Sequence, residues 1–320
     1  MRNKIIFGLA GAAFSFAVSG LAFAADMAVK APPAPAPAPV YNWTGWYVGV
    51  NAGASMGNVK TNLNGSPVFA TGFFLGHPLG PFQITPGFDF PNDRTSPDGF
   101  IGGGQIGYNW QYSPLIVVGF EADIQGALEK DSSNNLTQNV DFLTPNQVTG
   151  CGTPVFTTHC TATASYTTQI DWFGTVRARL GYVWGNGEVL SYVTGGLAYG
   201  EVKINGTNTV SGPAFSGDCA CSPAFSQTQA FGQSHINTGW VVGYGTEGHL
   251  PLMPGNWTWK VESLYMDLGH LNATSSASGS SCVVTAGQGG ETCSVAGGQV
   301  ATNSHFTDWI LRGGLNYKFY

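Results

Sequence analysis

His305 to Tyr320 reads HFTDWILRGGLNYKFY. Trp309, Leu311, Gly313, Leu315, Tyr317 and Phe319 share one parity, and Asp308, Arg312, Gly314, Asn316 and Lys318 share the other. That is the period of a β-strand, whose successive side chains point to opposite faces. One face is apolar and the other carries charge. A soluble sandwich and a membrane barrel would both use such a strand, so the rest of the chain has to decide between them.

Composition decides it. Only 9% of the 320 residues are charged, whereas 46 are Gly and the 20 Phe, 9 Trp and 12 Tyr recur throughout. At the N-terminus Arg2 and Lys4 precede an apolar run from Ile5 to Phe23 closed by Ala22-Phe23-Ala24, the pattern of a secretory signal peptide with an A-x-A cleavage site; an uncleaved anchor is the alternative. Beyond it no apolar run approaches the roughly 18 residues of a membrane helix. Short alternating segments rich in Gly and aromatics suit a membrane barrel, with lipid outside and a polar lumen inside. Cleavage after Ala24 would leave 10 basic and 18 acidic residues, a formal charge of −8, which offers nothing to nucleic acid. Ala31 to Pro39, APPAPAPAP, prefers polyproline II and cannot join a sheet, so it reads as a linker, with a Pro-rich recognition motif as the alternative.

Alternation predicts eight strands, near 46–54, 99–112, 115–127, 170–180, 189–203, 237–249, 257–268 and 305–320. Parity turns inward a set comprising Glu121, Asp123, Asp171, Arg177, Arg179, Glu247, Lys260, Glu262, Asp308, Arg312 and Lys318. After Gly200 the apolar parity changes between Val193/Leu197 and Val202/Ile204, which predicts a bulge there. Short turns are expected at Ser113-Pro114, Gly185-Asn186-Gly187 and 251–256, and long loops at 55–98, 128–169, 205–236 and 269–304. The predicted fold is all-β: an eight-stranded antiparallel transmembrane β-barrel with four long extracellular loops, both termini on the periplasmic side. Domain bounds are 1–24 for the signal peptide, 25–45 for a periplasmic Pro/Ala-rich segment and 46–320 for the barrel.

Arg312, Gly314, Tyr317 and Phe319 stand at polar-x-Gly-x-x-aromatic-x-aromatic spacing, with Tyr320 one residue beyond. This resembles the terminal signal by which outer-membrane barrels are recognised for insertion. Together with NWTGWYVGVNAG (42–53), 102–110, 172–181, VTGGLAYG (193–200) and 257–269, it makes the chain similar to the outer membrane immunogenic proteins, small porin-like surface antigens of alphaproteobacteria. The resemblance covers the strands and almost none of the loops. It implies an eight-stranded barrel in the outer membrane, without catalysis and without a cofactor. The expected partners are outer-membrane lipid and lipopolysaccharide, the barrel-assembly machinery, and host or envelope surface ligands, with no nucleic acid.

Six acids and five bases in the lumen set allow either an ion pathway or a paired network filling the interior. A barrel of about eight strands has room for little but side chains. Burial of unpaired charge is costly, which favours the network. Cys151, Cys160, Cys219, Cys221, Cys282 and Cys293 all fall in the predicted loops, where an oxidising compartment suggests disulfides within each loop; metal binding is the alternative. The six His residues show no spacing with a nucleophile or paired acids, so no enzyme is expected and no metal site is assigned. Two functions remain: a porin-like structural and surface-exposed barrel, with at most a narrow pore, and an adhesin or receptor acting through its loops.

Overall fold

The computed structural model describes residues 41–319, apart from short stretches at 67, 75–76, 86, 134, 145–155, 213–224, 252, 254–255, 277–281, 287–288 and 298. The predicted signal peptide and residues 25–40 of the Pro/Ala-rich segment therefore lie outside the described residues, whereas 41–45 are described. In chain order the strands are β1 (Gly45–Gly65), β2 (Val68–Phe74), β3 (His77–Thr85), β4 (Phe88–Thr95), β5 (Asp98–Ser113), β6 (Ile116–Ser132) and β7 (Leu136–Thr144). They continue with β8 (Phe156–Trp184), β9 (Val189–Gly212), β10 (Phe225–His249), β11 (Trp257–Ser276), β12 (Cys282–Ala286), β13 (Gly289–Gly297) and β14 (Gln299–Lys318).

Eight of them, β1, β5, β6, β8, β9, β10, β11 and β14, pair antiparallel in sequence order, and β14 returns to β1 with Tyr47 opposite Lys318 and Gly65 opposite Val300. Closure removes the unpaired edges that an open sheet of this length would expose. The β8–β9 turn is tight because Gly185, Asn186 and Gly187 all take positive φ, at 61°, 59° and 94°. Glycine enters that region without a Cβ clash and Asn tolerates it.

On the outer wall, a band from Trp46 to Met56 on β1 presents Trp46, Val48, Val50 and Met56 as exposed apolar side chains. That is the roughly 9–11 residues a tilted strand needs to cross a bilayer. Aromatics rim the band at both levels. Trp309 packs on Tyr265 (5.0 Å) and Tyr265 on Trp240 (5.5 Å) at one rim; Trp257 packs on Tyr317 (5.2 Å) and Trp46 on Tyr108 (5.2 Å) at the other. These are the interfacial girdles of a membrane barrel.

The strands run far beyond this band, and the four predicted loops are largely strand. β1 continues to Gly65, β8 begins at Phe156, β9 ends at Gly212, β10 begins at Phe225 and β11 reaches Ser276. β4 pairs with the upper part of β1 and β7 with the upper part of β8, while β12, β13, β2 and β3 form a separate four-stranded sheet in that order. Reading apolar parity as lipid-facing hid these extensions, because above the membrane the outside is polar and the inside apolar.

The predicted bulge after Gly200 is corrected for the same reason. β9 keeps an unbroken register with β10, and Val202 and Ile204 are buried whereas Val193 and Leu197 are exposed. The strand keeps its parity while its surroundings invert. The register shift lies across the ladder in β8, between Ile170 and Trp172, and it turns Asp171 out of the lumen.

Candidate functional site: a charge layer between two apolar plugs

Inside the membrane band, Glu121 and Asp123 on β6, Arg177 and Arg179 on β8, Glu247 on β10, Lys260 and Glu262 on β11 and Arg312 on β14 are all buried. Alternation sends each inward, and the antiparallel register sets Glu121 opposite Arg177 and Glu262 opposite Arg312. Arg177 reaches Asp123 at 3.0 Å and Glu262 at 3.3 Å, and also bonds Glu121. Arg179 lies 2.8 Å from Glu247 and 3.3 Å from Glu121; Lys260 lies 2.9 Å from Glu121 and 3.2 Å from Glu262. Arg312 completes the layer at 2.7 Å from Glu262 and 2.8 Å from Asp123. Four carboxylates thus meet four cations, so the layer has no formal net charge.

Neutral donors add further bonds to each of the four carboxylates. Tyr47 donates its hydroxyl to Glu121 (2.7 Å), Tyr192 to Glu262 (2.7 Å), Thr175 to Asp123 (2.8 Å), and Thr258 and Asn316 to Glu247 (2.5 and 2.9 Å). Arg179 lies over the Tyr192 ring at 3.8 Å, a cation–π contact in a desolvated site. The two tyrosines fit because glycine stands beside each: a Cβ on Gly107 would fall 2.3 Å from the Tyr47 Oη, and one on Gly245 2.5 Å from the Tyr192 Oη. Mutually bonded charges of this kind tolerate burial, whereas one left without partners would not.

An apolar plug lies on each side of the layer. Towards the short turns, Trp43 packs with Val117, Val183, Leu190 and Tyr192, with Tyr41 against them. Trp43 donates its indole N–H to the Gly187 carbonyl (3.0 Å) and its backbone N–H to Gln111 Oε1 (2.9 Å). Tyr41 stacks on His249 at 4.5 Å. The chain just before β1 is thereby tied to the rim formed by the turns. Above the layer a larger cluster fills the ring, including Val59, Leu63, Phe88, Phe90, Tyr166, Ile170, Phe173, Ile204, Phe231, Leu264 and Phe306.

Of the inward set read from sequence, Asp171 stands on the outer wall with Lys203 instead, partly exposed. Asp308 is buried but bonds Ser55 (2.6 Å) outside the charge layer. Lys318 sits at the turn-side rim, bonded to the Asn42 carbonyl and over the Tyr41 ring at 4.9 Å. Of the terminal motif, Arg312 joins the layer, while Tyr317 and Phe319 point outward and touch at 5.3 Å. Gly314 lies close to Asn51. Cys282 stands directly opposite Cys293 in the β12–β13 ladder and Cys160 opposite Val140, while Cys151, Cys219 and Cys221 lie outside the described residues. Parity did place Tyr47 on the lumen face, but nothing local marks it, Tyr192 or Trp43 as network or plug members. Glu129, buried in the apolar half, was hidden in a predicted loop.

A closed antiparallel ring with an apolar outer band, aromatic rims and a filled interior defines a small outer-membrane β-barrel. The chain belongs to the family of the outer membrane protein beta-barrel domain, whose model matches residues 14–319, and its place is the outer membrane. It is 34% identical over 272 residues to the 31 kDa outer-membrane immunogenic protein of Brucella melitensis, covering 82% of this chain and 87% of that one. It is 25% identical over 257 residues to the 25 kDa outer-membrane immunogenic protein of Brucella abortus, covering 79% and 80%. Among solved structures, Ail of Yersinia pestis aligns at a TM-score of 0.23 and 11% identity, over 83% of this chain and 99% of that one, too slight a likeness to bear on function.

Proposed function

We propose that the protein is a closed, non-catalytic structural barrel of the outer membrane whose tall extracellular wall is its working surface. The observation that carries this is the filled interior: apolar plug, neutral charge layer, apolar plug, in series along one lumen. An ion crossing it would have to displace buried side chains at three levels, and a barrel of about eight strands leaves no second route. Purified protein in a planar bilayer should therefore give no steady channels. Regular unitary conductance in the unmodified protein would overturn the closed reading in favour of a narrow porin.

Display of a binding surface to host or envelope ligands is supported by the height of the wall. β8 has 29 residues and β10 has 25, where roughly 9–11 cross the membrane. The relatives are named as immunogenic proteins, which fits a wall that stands clear of the bilayer. Vesicles carrying the full protein should retain a host-surface or envelope component that empty vesicles do not; equal retention would remove the adhesin reading. Tyr317 and Phe319 point into the lipid-facing rim, and we assign them an assembly role, tested by the yield of heat-modifiable barrel after deletion of residues 319–320.

A further inference from the structure

The cations of this acidic chain are sparingly distributed, and most are committed. Arg177, Arg179, Lys260 and Arg312 are taken up in the charge layer, Lys203 pairs with Asp171, and Lys318 meets Asn42 and Tyr41. Among the described residues Lys60, Arg94 and Lys130 form no ion pair. Two of these three face each other: Lys60 on β1 is the ladder partner of Arg94 on β4. On its other side Lys60 is opposite His305 of β14, and His305 is opposite His270 of β11. The four side chains therefore make one row across four adjacent strands, on the outward parity of each. Lys60, Arg94 and His270 are exposed and His305 is partly so.

Like charges directly opposite on neighbouring strands are unfavourable unless an anion lies between them. Asp267, at the lower edge of the row, meets His305 at 3.0 Å, and Asp93 beside Arg94 takes the Tyr166 hydroxyl, so neither forms an ion pair with Lys60 or Arg94. The level of the row identifies what can supply one. Below it come Asn58, Thr307 and Asp267, and below those Met56, Trp309 and Tyr265 of the lipid-facing rim. Lys60 is four residues beyond Met56. On a strand tilted by about 45° that places its backbone about 9 Å above the rim, just past a headgroup region roughly 5–8 Å deep, into which the long Lys side chain reaches back.

We propose that Lys60, Arg94, His305 and His270 form a phosphate-binding row for the headgroups of lipopolysaccharide in the outer leaflet. Lys60 and Arg94 supply the charge, and the imidazoles donate hydrogen bonds at one end of the row. Arg presents a planar fork to phosphate oxygens and Lys a point charge, so an anion bridging the two relieves their repulsion. The row lies outside the barrel and does not depend on whether the lumen conducts.

The test uses the full chain refolded into phosphatidylcholine vesicles, alone or with rough lipopolysaccharide, with the heat-unfolding midpoint read by gel mobility. Lipopolysaccharide should raise the midpoint of the unmodified protein. Lys60→Gln with Arg94→Gln should remove most of that rise and weaken lipopolysaccharide binding on the order of tenfold. In phosphatidylcholine alone the double variant should be as stable as the unmodified protein or more so, because the repulsion is gone. Lipopolysaccharide stripped of phosphate, and free inorganic phosphate, should each give no rise. An undiminished rise in the double variant, or an equal rise with the stripped lipid, would overturn the proposal; an equal rise with free phosphate would replace the lipid by a soluble anion. Should the double variant fold poorly, Lys60→Gln alone should lose a measurable part of the rise, and its retention of all of it would count equally against the row.

Discussion

The membrane half and the extracellular half of the same ring solve the interior in opposite ways. Within the lipid band the outer wall is apolar and the lumen holds four carboxylates and four cations bonded to one another. Above it the outer wall is polar and the lumen is filled by Phe, Leu, Ile and Val. A soluble protein has only the second option. A barrel in lipid can use the first, because the bilayer takes the apolar face and leaves the polar one to be satisfied within. The charge layer depends on mutual pairing and is fragile to loss of a single member; the apolar half depends on volume and responds gradually.

The largest effect that would separate the halves is on Arg177. Arg177→Ala leaves Glu121, Asp123 and Glu262 short of one cation. It should cost about 3–5 kcal/mol in denaturant unfolding from vesicles, whereas Arg177→Met with Glu121→Gln keeps three charges of each sign and should cost far less. Equal losses in the two variants would show that the layer is held by packing rather than charge balance. In the apolar half, Leu264→Ala should cost about 2–5 kcal/mol, with no paired substitution able to restore it by charge.

Smaller effects sharpen the contrast. Gly245→Ala drives a methyl against the hydrogen-bonded Tyr192, and a loss of about 1–3 kcal/mol is expected in the same assay. Lys203 and Asp171 have the same chemistry as the inner pairs but stand partly exposed on the outer wall, where water and salt screen them. Lys203→Ala should leave the unfolding midpoint unchanged; a loss near that of Arg177→Ala would show that location does not decide the worth of the pair. Smallest for the ring itself is reduction of Cys282 and Cys293, which we propose form a cross-strand disulfide. Directly opposite residues on antiparallel strands have Cα atoms about 4.5–5.5 Å apart, within disulfide reach. Reduction should expose residues 282–297 to protease while the β-signal of the barrel persists.

Much of this was legible in the chain. His305 to Tyr320 displayed its two faces, and Glu121, Arg177, Lys260, Glu262 and Arg312 lay on the polar parity of strands read directly from alternation. Asp171 was misplaced because parity carried across Ile170 to Trp172 ignores an extra residue, and only the ladder with β9 reveals it. Tyr47 and Tyr192 were not recognised as network members because their hydroxyls find Glu121 and Glu262 on strands distant in sequence.

By itself the sequence determined the strand period, the apolar outer band, the even ring and the residues that could enter its lumen, since these follow from side-chain alternation and local turn chemistry. Only the tertiary structure decided which charges meet, where the interior turns from charged to apolar, and that Trp43 closes against the rim opposite the extended wall. Each of those depends on strand register and on what lies beyond the wall, lipid or water, and a single strand's alternation is the same in both.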